Sequence, residues 1–305
     1  MISIIVLGAA AGGGFPQWNS NAVRCQRARS ADPMCPSQSQ AGLAVSADRR
    51  HWFLLNASPD LRQQIFSAPV LHPQEGLRSS PIAGVILTAA EVDTVTGLLC
   101  LRERHTFDLY AASPVQDVLA ANPIFNALNA AFVTRHTVES LMPFPLRHPD
   151  GRDSGLIATL FPVPGKVPLF LETEGRDVQS DDDVMGLELS DGDKLVVFIP
   201  GCAHMTDAVR SRLQDADLVF FDGTLWDDDE MIRAGLGPKT GRRMGHMPVS
   251  GDGGTLDAFA AISVGRKILI HINNSNPILD RASPEYAAVL AAGWDVAFDG
   301  MTVQL

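Results

Sequence analysis

The sequence predicts an α/β fold in which two β-sheets pack face to face and helices cover their outer surfaces. Strand-like apolar runs outnumber helical patterns, the helices fall between groups of strands, and many runs are continuously apolar instead of alternating. A continuous run marks a strand buried on both faces. Strands grouped between helices fit two packed sheets better than one parallel sheet.

The first run, Ile2–Leu7, has no basic segment before it and reads as a strand, not a signal sequence. Gly8–Gly14 follows and matches neither a dinucleotide fingerprint nor a P-loop, since no helical pattern comes after it. It reads as a flexible turn passing close to another backbone or a ligand. Strands are expected at Gly42–Ser46 and Trp52–Asn56. Ser58-Pro59-Asp60 then places a cap and a first-turn proline before a helix over Leu61–Phe66. After a strand at Ile82–Thr88, Ser113-Pro114 opens a helix through Leu119, broken near Pro123 and resumed to Phe132. Strands follow at Leu156–Val163, Val167–Leu171, Val184–Leu189, Lys194–Pro200 and Leu218–Asp222, with the acidic run Asp181–Asp183 as a solvated turn. A short amphipathic helix precedes Ile268–Asn273. Ser283-Pro284-Glu285 opens Tyr286–Ala292, Gly293 stops it, and Trp294–Phe298 is the last expected strand.

The chain has 305 residues, 46% hydrophobic and 19% charged, with no linker-like stretch, so one domain over residues 1–305 is expected. No apolar run approaches the ~20 residues that span a bilayer, and a cytoplasmic protein is expected. A net charge of −11 argues against a broad nucleic-acid surface. Cys25, Cys35, Cys100 and Cys202 are scattered and read as free thiols.

Ionisable groups at the ends of buried strands are costly unless something pairs with them. Asp222 ends a Val-Phe-Phe run, and His271 ends Ile-Leu-Ile before the amides Asn273, Asn274 and Asn276. His246, in a loop between Gly245 and Met247-Pro248, has no apolar face to occupy; its alternative is a surface imidazole. Asp93 follows the Ile82–Thr88 strand and by itself would be a turn or cap residue. Together these residues offer two imidazoles and two carboxylates, a set that suits zinc, iron or manganese. Two His and a carboxylate with open positions is the arrangement of non-haem Fe(II) sites, whereas three His favours hydrolytic zinc. Spacing alone does not choose between them.

In order and setting, Asp93, Asp222, His246 and His271 resemble the metallo-β-lactamase superfamily, closest to its tRNA 3′-processing nuclease branch. The segments Gly12–Asn19, Asp222–Trp226, Met244–Pro248, His271–Pro277 and Ala297–Met301 are similar to the coenzyme PQQ biosynthesis protein B family, over essentially the whole chain. The resemblance implies a four-layer αββα sandwich of two mixed sheets with its site at the strand ends. It implies a role in making pyrroloquinoline quinone (PQQ) from a cross-linked Glu–Tyr precursor, by iron-dependent hydroxylation of the tyrosine-derived ring. The alternative is a non-catalytic carrier of PQQ or its precursor with a degenerate metal site. On this reading Asp93, Asp222, His246 and His271 hold Fe(II), or zinc in its place, and His246 and Asp222 are also catalytic. The expected partner is a small or peptide-derived PQQ precursor, and the sequence leaves a homodimer open.

The chain departs from its relatives at three points. The superfamily's His-x-His-x-Asp-His segment falls on Thr88–Thr94, where only Asp93 remains, and Pro164-Gly165-Lys166 holds no histidine. Ser20 and Ala22 stand where many relatives carry cysteines. A three-His zinc site and a structural cysteine zinc are therefore not expected. PQQ and its precursors carry several carboxylates, which local cations must meet. Lys239, Arg242 and Arg243 lie on a glycine-punctuated loop before His246 and read as a mobile lid, with Asn273 and Asn274 completing the substrate contacts. A solvated loop balancing Asp227–Glu230 is the alternative.

Overall fold

A computed structural model describes residues 1–172 and 183–305. The chain lays down β1 (Ser3–Gly8), β2 (Gly42–Ser46), β3 (Trp52–Leu55), β4 (Ile82–Ile86), β5 (Phe107–Ala111) and β6 (Val133–Thr137) as one sheet. It then builds a second sheet from β7 (Phe144–Arg147), β8 (Asp153–Pro162), β9 (Met185–Ser190), β10 (Leu195–Ile199), β11 (Ala216–Asp222), β12 (Val264–Ile270) and β13 (Asp295–Val296). Finally β14 (Thr302–Gln304) returns to pair antiparallel with β1, giving two seven-stranded sheets. Both are mixed: β3 to β6 and β10 to β13 run parallel, and the remaining pairs are antiparallel.

The continuous apolar runs have the predicted cause. In β10 and β11, Val196, Phe198, Leu218 and Phe220 face the first sheet's Val45, Phe53, Leu55 and Ile86, forming the inter-sheet core. Their neighbours Val197, Ile199, Val219 and Phe221 face outward onto Val209 and Leu213 of the helix Asp207–Leu213, and onto Phe259 and Val289. On the other side, Leu54, Val85 and Leu109 are covered by Leu61, Val95, Leu98, Val115 and Leu119. Helix, sheet, sheet and helix make the four-layer αββα sandwich.

Differences from expectation lie at the edges. Val167–Leu171 forms no strand; Pro168 lacks a donor, and the segment turns as a short 3₁₀ helix at Leu169–Leu171 with exposed side chains. The helix expected to resume to Phe132 gives a 3₁₀ turn at Pro123–Ala127 and then enters β6. β6 and β7 are edge strands, so their polar residues and Pro145 conceal the apolar signature. Of the expected acidic turn, Asp181 and Asp182 lie outside the described residues. Among the described residues no helix is long and apolar enough to cross a membrane.

Candidate metal centre

The ends of β11 and β12 meet beside a cleft. β11 ends at Asp222, and Gly223 then passes tight against β12: a Cβ at that glycine would lie 3.0 Å from Leu269 Cβ and 3.1 Å from the Ile270 carbonyl oxygen. Next to it, His271 leaves β12 in the left-handed region, with φ 60°. Such a conformation costs of order 1–3 kcal/mol in a residue with a side chain and persists where neighbours over-determine it. The neighbours are the glycine-rich segment, which accepts from Ile272 N at Ala9 O (2.9 Å) and donates from Ala11 N to Ile272 O (2.8 Å). Asn276 clasps the two strand ends, donating to Gly223 O at 2.9 Å and accepting from Ile278 N at 3.0 Å.

Asp93 arrives from the first sheet on the short helix Val92–Val95 after β4. Gly12 lets the glycine-rich turn pass over it, since a Cβ there would lie 3.3 Å from Asp93 Oδ2. The expected ligands come together as two carboxylate–imidazole pairs. Asp222 Oδ2 is 2.8 Å from His246 Nδ1, and Asp93 Oδ2 is 3.0 Å from His271 Nε2. The two rings stack at 5.2 Å between centroids. Between them sits the Thr224 hydroxyl, 3.0 Å from His246 Nδ1, 2.9 Å from His271 Nδ1 and 2.7 Å from Asp222 Oδ1. One hydroxyl has one proton, so it donates to an oxygen and accepts from an imidazole N–H.

Burial alone would raise the Asp93 carboxyl and lower the His271 imidazole. Burial is the largest single influence on each, but their mutual hydrogen bond and the surrounding opposite charges together outweigh it, holding Asp93 below its ordinary range and His271 above its own. Asp222 is wholly buried. Its Oδ1 accepts from Thr224 N (3.0 Å) as well as the hydroxyl, and its Oδ2 accepts from Cys202 N (2.9 Å) as well as facing His246. A carboxylate offers about four lone-pair directions, so all of Asp222's are engaged. A cation at Asp222 would take over the position held by the His246 contact or the Thr224 hydroxyl.

The donor set fits a borderline divalent ion. One donor atom each from Asp222, His246 and His271 lies within 4.8 Å of the others, and Asp93 joins through His271. Nearby Cys202 stands outside this group: its thiol donates to the His204 carbonyl (3.2 Å), and burial, then the Asp222 charge, push it up to about 12. Thr94, expected to depart from the superfamily pattern, turns its hydroxyl back on its own segment, toward the Ala89 carbonyl (3.0 Å) and the Glu91 carbonyl (2.8 Å).

A cavity of about 540 Å³ opens over these groups, lined by Gly12, Asp93, Thr94, His246, His271 and Asn273 among others. Lys166 and Lys239 also line it. Lys239 Nζ is 2.6 Å from Glu172 Oε2, and Lys166 Nζ is 3.0 Å from Glu91 Oε1 and 3.7 Å from Glu172 Oε1. Arg242 is directed elsewhere, donating to the Ala203 carbonyl (3.3 Å) and the Gly253 carbonyl (2.9 Å). Arg243 lies on the exposed side, 3.9 Å from Glu172. Asn274 is packed away from the cavity against Gln17 and Cys25. Sequence reading did not single out Thr224 or Lys166. A threonine in a turn carries no periodic signal, and Lys166 is visible only once its loop folds over the cleft.

Two mixed sheets, with carboxylates and imidazoles at their strand ends, define a metallo-β-lactamase-fold protein. The beta-lactamase superfamily domain matches residues 51–272 of the chain. Coenzyme PQQ synthesis protein B of Gluconacetobacter diazotrophicus is 61% identical over 99% of both chains, and that of Xanthomonas campestris pv. campestris 55% identical over 99% of both. The crystal structure of Zn(2+)-bound PqqB from Methylobacterium extorquens superposes with TM-score 0.95 at 44% identity, covering 99% of this chain and 100% of the other. The chain belongs to the coenzyme PQQ synthesis protein B family. A diphosphatase from the PhnP family, 17% identical with TM-score 0.70 over 100% and 98% of the two chains, shares the fold.

Proposed function

We propose that the chain acts in PQQ biosynthesis as an iron-dependent hydroxylase of a tyrosine-derived precursor. The observation that carries this reading is the pair of carboxylate–imidazole contacts, Asp222 with His246 and Asp93 with His271, meeting at one hydroxyl beside the cleft. The names of the relatives support the pathway, and the zinc of the Methylobacterium extorquens protein supports a metal role in the family.

Asp93, Asp222 and His271 would hold the ion, with His246 beside it. Bound Fe(II) would supply the redox chemistry with O2 that hydroxylation needs, which zinc cannot. The chain's own residues do the rest. Lys166 and Lys239 meet the precursor's carboxylates, exchanging Glu91 and Glu172 for them. His246, hydrogen-bonded through Nδ1 to Asp222, is oriented to take or return a proton at the ring hydroxyl. Asn273 lines the same cleft and offers an amide to the substrate. Apolar neighbours such as Val92, Leu169 and Met231 exclude water.

A carrier of PQQ or its precursor is the second reading. It is favoured by the engaged lone pairs of Asp222 and by Thr94, whose hydroxyl is spent on its own backbone. Anaerobic reconstitution with Fe(II), followed by metal analysis and oxygen uptake with a tyrosine-like precursor, separates the two. Turnover is expected for the hydroxylase. Tight quinone binding without oxygen uptake would replace it with the carrier.

A further inference from the structure

A second cluster of ligating side chains lies at the other end of the sandwich. Asp48 and His51 sit in the turn between β2 and β3, and His148 in the turn between β7 and β8. These turns belong to different sheets. β3 starts beside His51 and runs toward Asn56, which bonds Thr88 at the cleft (2.9 Å); β8 starts after His148 and runs toward the cavity-lining Gly165. The cluster is therefore separated from the first centre by the length of the strands.

One donor atom each of Asp48, His51 and His148 lies within 4.8 Å of the others. Asp48 Oδ2 is 2.7 Å from His51 Nδ1, and the His51 and His148 rings lie 4.2 Å apart between centroids. The Asp48 carboxylate is fixed by its turn, accepting from Arg50 N and His51 N at 2.8 Å and from Ser46 Oγ at 3.1 Å. His148 is the second, independent sign. It is 8% exposed, and its Nδ1 has no hydrogen-bond partner among the described residues. A buried polar atom without a partner is destabilising, so a ligand that satisfies it is favoured.

We propose that Asp48, His51 and His148 form a divalent transition-metal site of the zinc type, tying the first sheet to the second at the end away from the cleft. Two nitrogens and one carboxylate oxygen suit zinc and its neighbours, whereas calcium and magnesium would require a cage of oxygens. Tetrahedral bonds of zinc length place donors about 3.3 Å apart. Small side-chain rotations bring the cluster to that spacing, and water completes the fourth position.

The test is zinc binding to the full-length, metal-stripped chain, counted by elemental analysis after desalting, with Tm read alongside. It is run both in the native sequence and in a His271→Ala background, so that loss of ion at the cleft is scored separately. The His271→Ala chain is expected to keep one zinc and a zinc-dependent rise in Tm. His51→Gln and His148→Gln added to it should each abolish both. Should His148→Gln fail to fold, His51→Gln on the half-exposed turn carries the same expectation. A His271→Ala chain that retains no zinc, or a His51→Gln chain that binds it undiminished, overturns the proposal.

Discussion

One hydroxyl, that of Thr224, touches three of the groups that define the centre. Thr224→Val should remove the donor to Asp222 Oδ1 and the acceptor for the imidazoles while keeping shape. Hydrogen bonds to charged groups contribute about 1.5–3 kcal/mol, so a loss of that order in urea unfolding is expected, with Thr224→Ser retaining most of it. Asp299 sets a different test. It accepts from Ala9 N (3.1 Å) and Ser39 N (2.7 Å), anchoring the glycine-rich turn that supports His271. Burial pushes its carboxyl up to about 6, against those hydrogen bonds, and the charge of Asp60 adds to the rise. A raised folded-state pKa means that the folded chain binds the proton more tightly than the unfolded chain. Its stabilising contribution is therefore complete below the unfolded carboxyl range and is lost as pH rises through about 6. Urea midpoints between pH 4 and 7 should fall more steeply for the native chain than for Asp299→Asn; parallel curves would contradict the assignment.

At the scale of elements, the site depends on how strands end. β11 and β12 were legible because the second half of each is a buried apolar run, Leu218–Phe221 and Ile268–Ile270, that meets an ionisable residue at its end. That pairing of signals singled out Asp222 and His271 before any geometry was known. Edge strands β6 and β7 were not legible, because one side of an edge strand needs no apolar neighbour and tolerates Arg135, His136 or Pro145. The cationic rim was legible only in part. Lys239 and Arg242 are close in sequence, but the Ala203 and Gly253 carbonyls draw Arg242 away, and such tertiary acceptors leave no mark on local sequence. Lys166→Gln and Lys239→Gln should each weaken binding of a multiply carboxylated quinone by up to about fivefold, the range of one partly exposed ion pair. Arg242→Gln should leave that affinity within twofold, as checked by fluorescence or calorimetric titration, and lower stability instead.

The whole molecule is a sandwich whose covering layers hold buried apolar clusters of their own beside the inter-sheet core. Phe259 bridges Phe221 of β11 and Trp294, with ring centroids 4.9 Å and 4.8 Å away in edge-to-face contact. Phe259→Ala should cost about 3–5 kcal/mol in chemical denaturation and loosen the strand that carries Asp222. The fold class was readable from the sequence because buried sheets impose it on nearly every residue of a strand. The assembly of Asp93, from the first sheet, with Asp222 and His271, from the second, was readable only through family resemblance, since contacts across 178 residues leave no local pattern. The centre requires that those side chains converge on one cation. Crystals of the Fe(II)-reconstituted chain, measured at the iron absorption edge, show whether they do. An anomalous peak within bonding distance of Asp93, Asp222 and His271 is expected. Fully reconstituted crystals with no peak there, and with the Asp222–His246 and Asp93–His271 contacts unchanged, would contradict it.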